Sequence, residues 1–184
     1  MVAAYLAFLA LFGAERIAEL LLSRRNARIA LAHSGVEAGA GHFRWMAVVH
    51  ALFLPACAAE VLLLHRPFPG ALGWACAAAA LGAQALRWWA VTTLGWRWNV
   101  RVIVVPGESP VRDGPYRFVR HPNYVAVAIE MACVPLVHGA WICAALFSAL
   151  NLLLLRVRIR AEEQALSASW ERAFAGVPRF IPHG

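Results

Sequence analysis

Apolar residues run in long blocks along this chain, and the polar residues gather between the blocks. A helix needs roughly 20 mainly apolar residues to cross a bilayer. Blocks at 2–22, 45–64 and 71–94 each meet that length. "RPFPG" breaks the second block from the third with Pro67, Pro69 and Gly70. The last block, 122–155, is too long for one span, and "PLVHGAW" divides it at Pro135 and Gly139. The pattern predicts an all-α integral membrane bundle of about five transmembrane helices, in a single domain over 1–184. A polar segment, 95–121, separates the third and fourth helices.

Composition supports this reading. The chain is 61% hydrophobic over 184 residues, more apolar surface than a soluble domain of that size can bury. The net charge of +7 comes from arginine alone, since the sequence has no lysine. Arginines follow the first block (Arg24, Arg25, Arg28, Arg44) and the third (Arg97, Arg101, Arg112, Arg117, Arg120). More lie after the last block (Arg156, Arg158, Arg160, Arg172, Arg179), while the opposite side offers Arg66. Arginine marks the cytoplasmic side, so the N-terminus is expected outside and the C-terminus in the cytoplasm. The charge is read as contact with anionic lipid headgroups. No basic face stands apart from apolar segments, which argues against a nucleic-acid partner.

Cys57, Cys76, Cys133 and Cys143 all lie in apolar runs without a CxxC pair. They read as small buried hydrophobes, with no disulfide framework and no metal site. The first block lacks a basic lead-in and reads as a retained span. The tail reads as a short amphipathic or irregular segment, with Trp170 and Phe174 at the interface.

Charges inside spans are costly and need partners. Glu15 and Glu19 share a helix face beside Arg16. Arg87 lies well inside the third block, and pairing with Glu130 or with Glu15 is open. Glu60 reads as an outer-interface residue, and His50 as a satisfied buried histidine.

Two polar clusters share the arginine-rich face. The first is "GPYRFVRHPNY", 114–124. Gly114-Pro115 makes a turn, His121-Pro122 ends the short element, and Pro122 opens the fourth helix. Free amides at that positive helix end suit a carboxylate or phosphate. The second is "NLLLLRVRIRAEEQAL", 151–166, where Asn151, Leu155, Arg158 and Glu162 line one helical stripe.

Together these strings resemble the isoprenylcysteine carboxyl methyltransferase family. The match extends through "AERIAELLLSRRN", "GVEAGAGHFRWMAVVH", "WRWNVRVIVVPG" and "FSALN", from about Glu15 to Leu166. It is closest to a bacterial branch that O-methylates type III polyketide products, alkylpyrones and alkylresorcinols. "RHPNY" alone also resembles a string of membrane sterol reductases. The resemblance implies an S-adenosylmethionine-dependent methyltransferase of the bacterial inner membrane, with its catalytic and cofactor-binding portion at about 95–166. The site would face the cytoplasm, and a lipophilic small-molecule substrate would enter from the bilayer. A prenylcysteine carboxyl methyltransferase is the alternative, and an NADPH-dependent membrane reductase a more distant one.

Residue by residue, the resemblance implies Tyr116, His121, Tyr124 and Glu163 or Glu162 around the cofactor, with Arg120 and Pro122 of the same motif beside them, and Arg158 and Glu162 at the transfer site; which glutamate serves the cofactor and which the transfer stays open. His42, Asn99, Arg101, Glu130 and Asn151 are candidates for the substrate pocket. The family often has glycine two positions after the RHPxY tyrosine, where this chain has Ala126.

Overall fold

A computed structural model describes residues 1–38 and 40–181, with the side chains of 40, 42 and 167–169 outside the described set. The chain is predominantly helical. Among the described residues five α-helices follow one another: α1 (Val2–Ala32), α2 (Ala40–Leu63), α3 (Ala71–Leu94), α4 (Pro122–Leu136) and α5 (Trp141–Ala173). Short 3₁₀ turns at Gly95–Arg97 and Gly114–Arg117 interrupt the segment between α3 and α4. One small ribbon departs from the all-α expectation. Strand β1 (Val36–Ala38) pairs antiparallel with β2 (Val102–Val104), Glu37 facing Ile103.

Two helical stretches, Phe43–Leu63 and Trp141–Leu166, are long and apolar enough to cross a membrane, and Pro122–Leu136 is a shorter apolar helix. Helix α3 coincides with the block at 71–94, and the break predicted at Pro135 and Gly139 is the α4–α5 turn. Gly139 has φ +70°, a conformation that only glycine adopts without strain.

Helices α1 and α5 run past their apolar blocks, to 31 and 33 residues, or about 46 and 50 Å. The reason for α1 lies on its buried stripe, Tyr5, Leu9, Phe12, Glu19, Ser23 and Asn26, spaced three, four or seven apart. Its first half is apolar and joins the main core with Phe53, Cys57, Cys76, Val127, Met131 and Val134. Its second half is polar and finds partners on other segments.

Helix α3 packs on α4 through small residues, Gly73, Cys76, Ala80 and Ala83. A Cβ on Gly73 would lie 2.7 Å from the Val137 carbonyl, so the close helix approach depends on glycine there.

Between α1, α3 and α4 lies a buried charge cluster. Arg87 grips Glu19 with two nitrogens, Nη2 at 2.7 Å. Arg16 Nη1 lies 3.1 Å from Glu19, and Arg87 Nη1 lies 3.7 Å from Glu130. The sequence left Glu130 and Glu15 open as partners for Arg87, and the tight partner is Glu19. At the opposite end, Glu60 is buried. Its carboxylate accepts the first amides of α5, from Ile142 at 3.1 Å and Cys143 at 2.7 Å.

Candidate active site

The end of α1, the 95–111 segment, the start of α4 and the second half of α5 enclose one cavity of about 650 Å³. That volume lies within the range of small-molecule and cofactor sites. Its wall is built locally as the sequence suggests. Pro115 opens the Gly114–Arg117 turn, Pro122 is the first residue of α4, and His121 is its N-cap. Gly114 has φ +55°, and a Cβ there would fall 2.4 Å from the Thr93 hydroxyl. The turn therefore sits tightly against the end of α3 and delivers Tyr116 to the wall.

Tyr124 stands between two charged side chains of α5. Arg158 Nε donates to its phenol oxygen at 2.8 Å, and the phenol donates to Glu162. Arg158 and Glu162 are thus joined through Tyr124. Arg158 is also held by two backbone carbonyls, Val100 at 2.5 Å and Asn99 at 3.4 Å, and Nη1 meets the Met46 sulfur at 3.7 Å. These four contacts engage four of the five N–H groups of a guanidinium. Every one of those partners is neutral, so the buried positive charge has a carboxylate only one phenol away.

His121 stacks on Tyr124 with ring centroids 5.3 Å apart, and its Nε2 lies 3.2 Å from Glu163. Glu163 stands behind His121 and takes a second bond from Arg179 at 2.8 Å. The tail folds back over this corner. The amides of Arg120 and His121 donate to the carbonyls of Pro178 and Arg179, at 2.9 and 3.2 Å. Arg120 Nε donates to Val177 at 2.6 Å, with its guanidinium over Trp170. The helix-end amides expected to be free for an anion are therefore partly used: two bind the tail, and those of Tyr124 and Val125 return to the His121 carbonyl.

Tyr116 packs with Trp170, Phe174 and Val177. Burial, and then the negative charge of Glu162, hold its hydroxyl well above the ordinary value of 10.0. It is a neutral donor at physiological pH. Asn123 also faces the cavity, and its Oδ1 is buried without a partner among the described residues.

Of the residues singled out from sequence, Tyr116, Arg120, His121, Pro122, Tyr124, Arg158, Glu162, Asn99 and Arg101 line this cavity. Glu130 and Asn151 do not. Glu130 belongs to the Arg87 cluster, and Asn151 is fully buried on α5, away from the wall. His42 lies on the first turn of α2, and its side chain is outside the described residues. The sequence did not flag Trp170, Phe174 and the 102–111 segment as cavity wall. Apart from Glu108, the 102–111 run is valine, isoleucine, proline, glycine and serine and carries no titratable signal.

Four arginines (Arg97, Arg101, Arg120, Arg158) and two glutamates (Glu108, Glu162) line the cavity. Arg97 pairs with Glu108, and Arg101 with Glu37 at 2.9 Å. Arg120 and Arg158 make no direct carboxylate contact among the described residues, so an anionic group of a ligand has two cations to meet there.

The profile of the isoprenylcysteine carboxyl methyltransferase family matches residues 75–168, which carry the Tyr124–Arg158–Glu162 chain and His121. The chain belongs to this family. It is accordingly a membrane methyltransferase. An uncharacterized protein of Bacillus subtilis, YpbQ, is 39% identical over 152 residues, covering 83% of this chain and 90% of its own length. An uncharacterized protein of Haemophilus influenzae is 26% identical over 159 residues, covering 84% and 90%. Methyltransferases of this family use S-adenosylmethionine, and Ala126 is fully buried on α4.

Proposed function

We propose that this protein is an S-adenosylmethionine-dependent O-methyltransferase acting on a lipophilic small molecule with an acidic hydroxyl, such as an alkylpyrone or alkylresorcinol. The observation that carries the reading is the Arg158–Tyr124–Glu162 chain on the wall of a net-positive cavity. An acceptor oxygen that becomes negative is drawn to the Arg158 guanidinium of such a wall.

The residues fit the cofactor. Its amino-acid end has a carboxylate and an ammonium. His121, Arg120 and Tyr116 suit the first; the orphaned Asn123 Oδ1 suits the second, and Glu163 reaches this corner through His121. Trp170 and Phe174 offer apolar faces for a base. When bound, S-adenosylmethionine supplies an electrophilic methyl on a sulfonium. The chain's own residues do the rest. Arg158 stabilises the oxyanion of the acceptor. Tyr124 fixes the guanidinium, and Glu162 behind it is the base available to the acceptor's proton. Cavity walls hold donor and acceptor in line.

The same reading places five helices in the membrane, the N-terminus outside and the cavity at the cytoplasmic face of a bacterial inner membrane. The lipid enters sideways, and the soluble cofactor from the cytoplasm. A prenylcysteine carboxylate suits the arginine-lined wall equally well, and this is the second reading. The test incubates membranes containing the protein with labelled S-adenosylmethionine and alkylpyrones, alkylresorcinols or a prenylcysteine analogue. Label in an alkylpyrone or alkylresorcinol supports the proposal, and label only in the prenylcysteine selects the alternative. Binding of NADPH and not of S-adenosylhomocysteine overturns both.

A further inference from the structure

Ser23 and Asn26 lie on the polar half of the α1 stripe, each 3% exposed, and neither touches the cavity. Their hydrogen-bonding capacity goes to one short segment, 95–101. Ser23 Oγ donates to Asn99 Oδ1 at 2.9 Å and accepts the Val100 amide at 3.1 Å. Asn99 Nδ2 returns a bond to the Ser23 carbonyl at 3.0 Å, and Asn99 Oδ1 accepts the Arg101 amide at 2.9 Å. Asn26 Nδ2 donates to the carbonyls of Gly95 at 3.1 Å and Trp98 at 2.8 Å.

The two peptide carbonyls that leave this clamp, Asn99 and Val100, are the two that accept from Arg158. A long guanidinium side chain has much rotamer freedom to lose. Its orientation is only as definite as the acceptors around it, and catalytic geometry tolerates displacements of about 0.5 Å. Loop carbonyls alone do not give that definition. Loop carbonyls tied to a helix at both ends of the segment do.

We propose that Ser23 and Asn26 are positioning residues for methyl transfer: from α1 they fix the 95–101 segment, whose carbonyls aim the Arg158 guanidinium at its target beside Tyr124. The proposal rests on the role given to Arg158 above. It assigns to α1 a part in the reaction, although α1 lies outside the residues 75–168 matched by the family profile.

The experiment uses the full chain in detergent with Ser23→Ala and Asn26→Ala. Ser23→Cys, close to serine in volume, is read in the same way if the alanine variant does not fold. Three quantities are measured: hydrogen exchange of 95–101, binding of S-adenosylhomocysteine, and kcat and KM with whichever acceptor is labelled in membranes. Exchange in 95–101 should quicken while α4 and α5 are unchanged. S-adenosylhomocysteine affinity should stay within about twofold, and kcat should fall about tenfold or more with a smaller change in KM. In an Arg158→Lys background, Ser23→Ala should add less than about twofold, because it acts through the residue already altered. The same fractional loss in both backgrounds, or loss of cofactor-product binding in step with kcat, overturns the positioning role. Unchanged exchange overturns the clamp itself, whatever the protein binds. Failure of the unsubstituted protein to bind S-adenosylhomocysteine overturns the methyltransferase mechanism instead and leaves the exchange result to judge the clamp.

Discussion

Arg158 Nε donates to the phenol oxygen of Tyr124 over 2.8 Å, joining α5 to the first turn of α4. The same oxygen donates to Glu162. One hydroxyl therefore sets the relation between a cation and a carboxylate that never touch. Tyr124→Phe removes that oxygen and keeps the ring stacked on His121. The variant is expected to lose about 10- to 100-fold in kcat, or about 1.4–2.7 kcal/mol of transition-state stabilisation. S-adenosylhomocysteine binding should be largely retained. His121→Ala should show the reverse emphasis, with weaker cofactor-product binding. Full turnover by Tyr124→Phe in the labelled-cofactor assay removes the bridge from the mechanism.

Tyr116 provides a pH signature. Burial, with Glu162 nearby, raises its folded pKa above the ordinary 10.0. A raised pKa favours the neutral form in the fold. Its stabilising contribution is complete below about pH 10 and is lost as pH rises beyond that, through the folded pKa. With no lysine in the chain, few other groups outside the helices titrate in that window. Alkaline unfolding followed by tyrosinate absorbance should therefore be less steep above pH 10 in Tyr116→Phe. Identical alkaline profiles contradict the burial of this hydroxyl.

Local signals made much of the fold legible. Proline and glycine punctuation placed the α2–α3 and α4–α5 breaks, and the Gly114–Arg117 turn followed by Pro122 was readable from "GPYRFVRHPNY". That Arg158 and Glu162 lie one helical turn apart was also readable, since the spacing is four. That Tyr124 stands between them was not, because 34 residues separate it from Arg158. Pairings of that kind depend on how helices dock. Glu19 with Arg87, Glu60 with the start of α5, and Ser23 with Asn99 escaped the sequence for the same reason. Glu130 illustrates the converse. A lone carboxylate in a span looks functional by its cost, yet here it sits beside two arginines six residues beyond Tyr124.

Glu60 behaves as a capping carboxylate supplied by another helix. It accepts the Ile142 and Cys143 amides at the positive end of α5 and is held by Arg66, whose Nη2 lies 2.9 Å away. Capping and charge–dipole effects are each worth about 1–2 kcal/mol in favourable, partly buried settings. Glu60→Ala is therefore expected to lower unfolding free energy in mild detergent by about 1–3 kcal/mol. Glu60→Gln should cost less, since it keeps one acceptor oxygen. Because Glu60 lies at the end of the bundle away from the cavity, S-adenosylhomocysteine affinity should not move. A change in affinity as large as the change in stability contradicts that separation.

The cluster between α1, α3 and α4 sets three carboxylates, Glu15, Glu19 and Glu130, against two guanidiniums, Arg16 and Arg87. The contacts rank them. Glu19 is gripped by Arg87 and lies 3.1 Å from Arg16, whereas Glu130 lies 3.5 and 3.7 Å from its two partners. Removing one member of a tight buried pair strands the other charge and typically costs about 3–5 kcal/mol. Glu19→Leu and Arg87→Leu should each fall in that range by detergent unfolding. The double variant should cost much less than the sum, because neither charge is then stranded. Glu130→Gln removes the surplus negative charge at its most loosely held position. It should change stability by less than about 1 kcal/mol, the scale of a typical net hydrogen bond. If Glu130→Gln proves as costly as Glu19→Leu, the third carboxylate is integral to the cluster, and the ranking by contact distance is wrong.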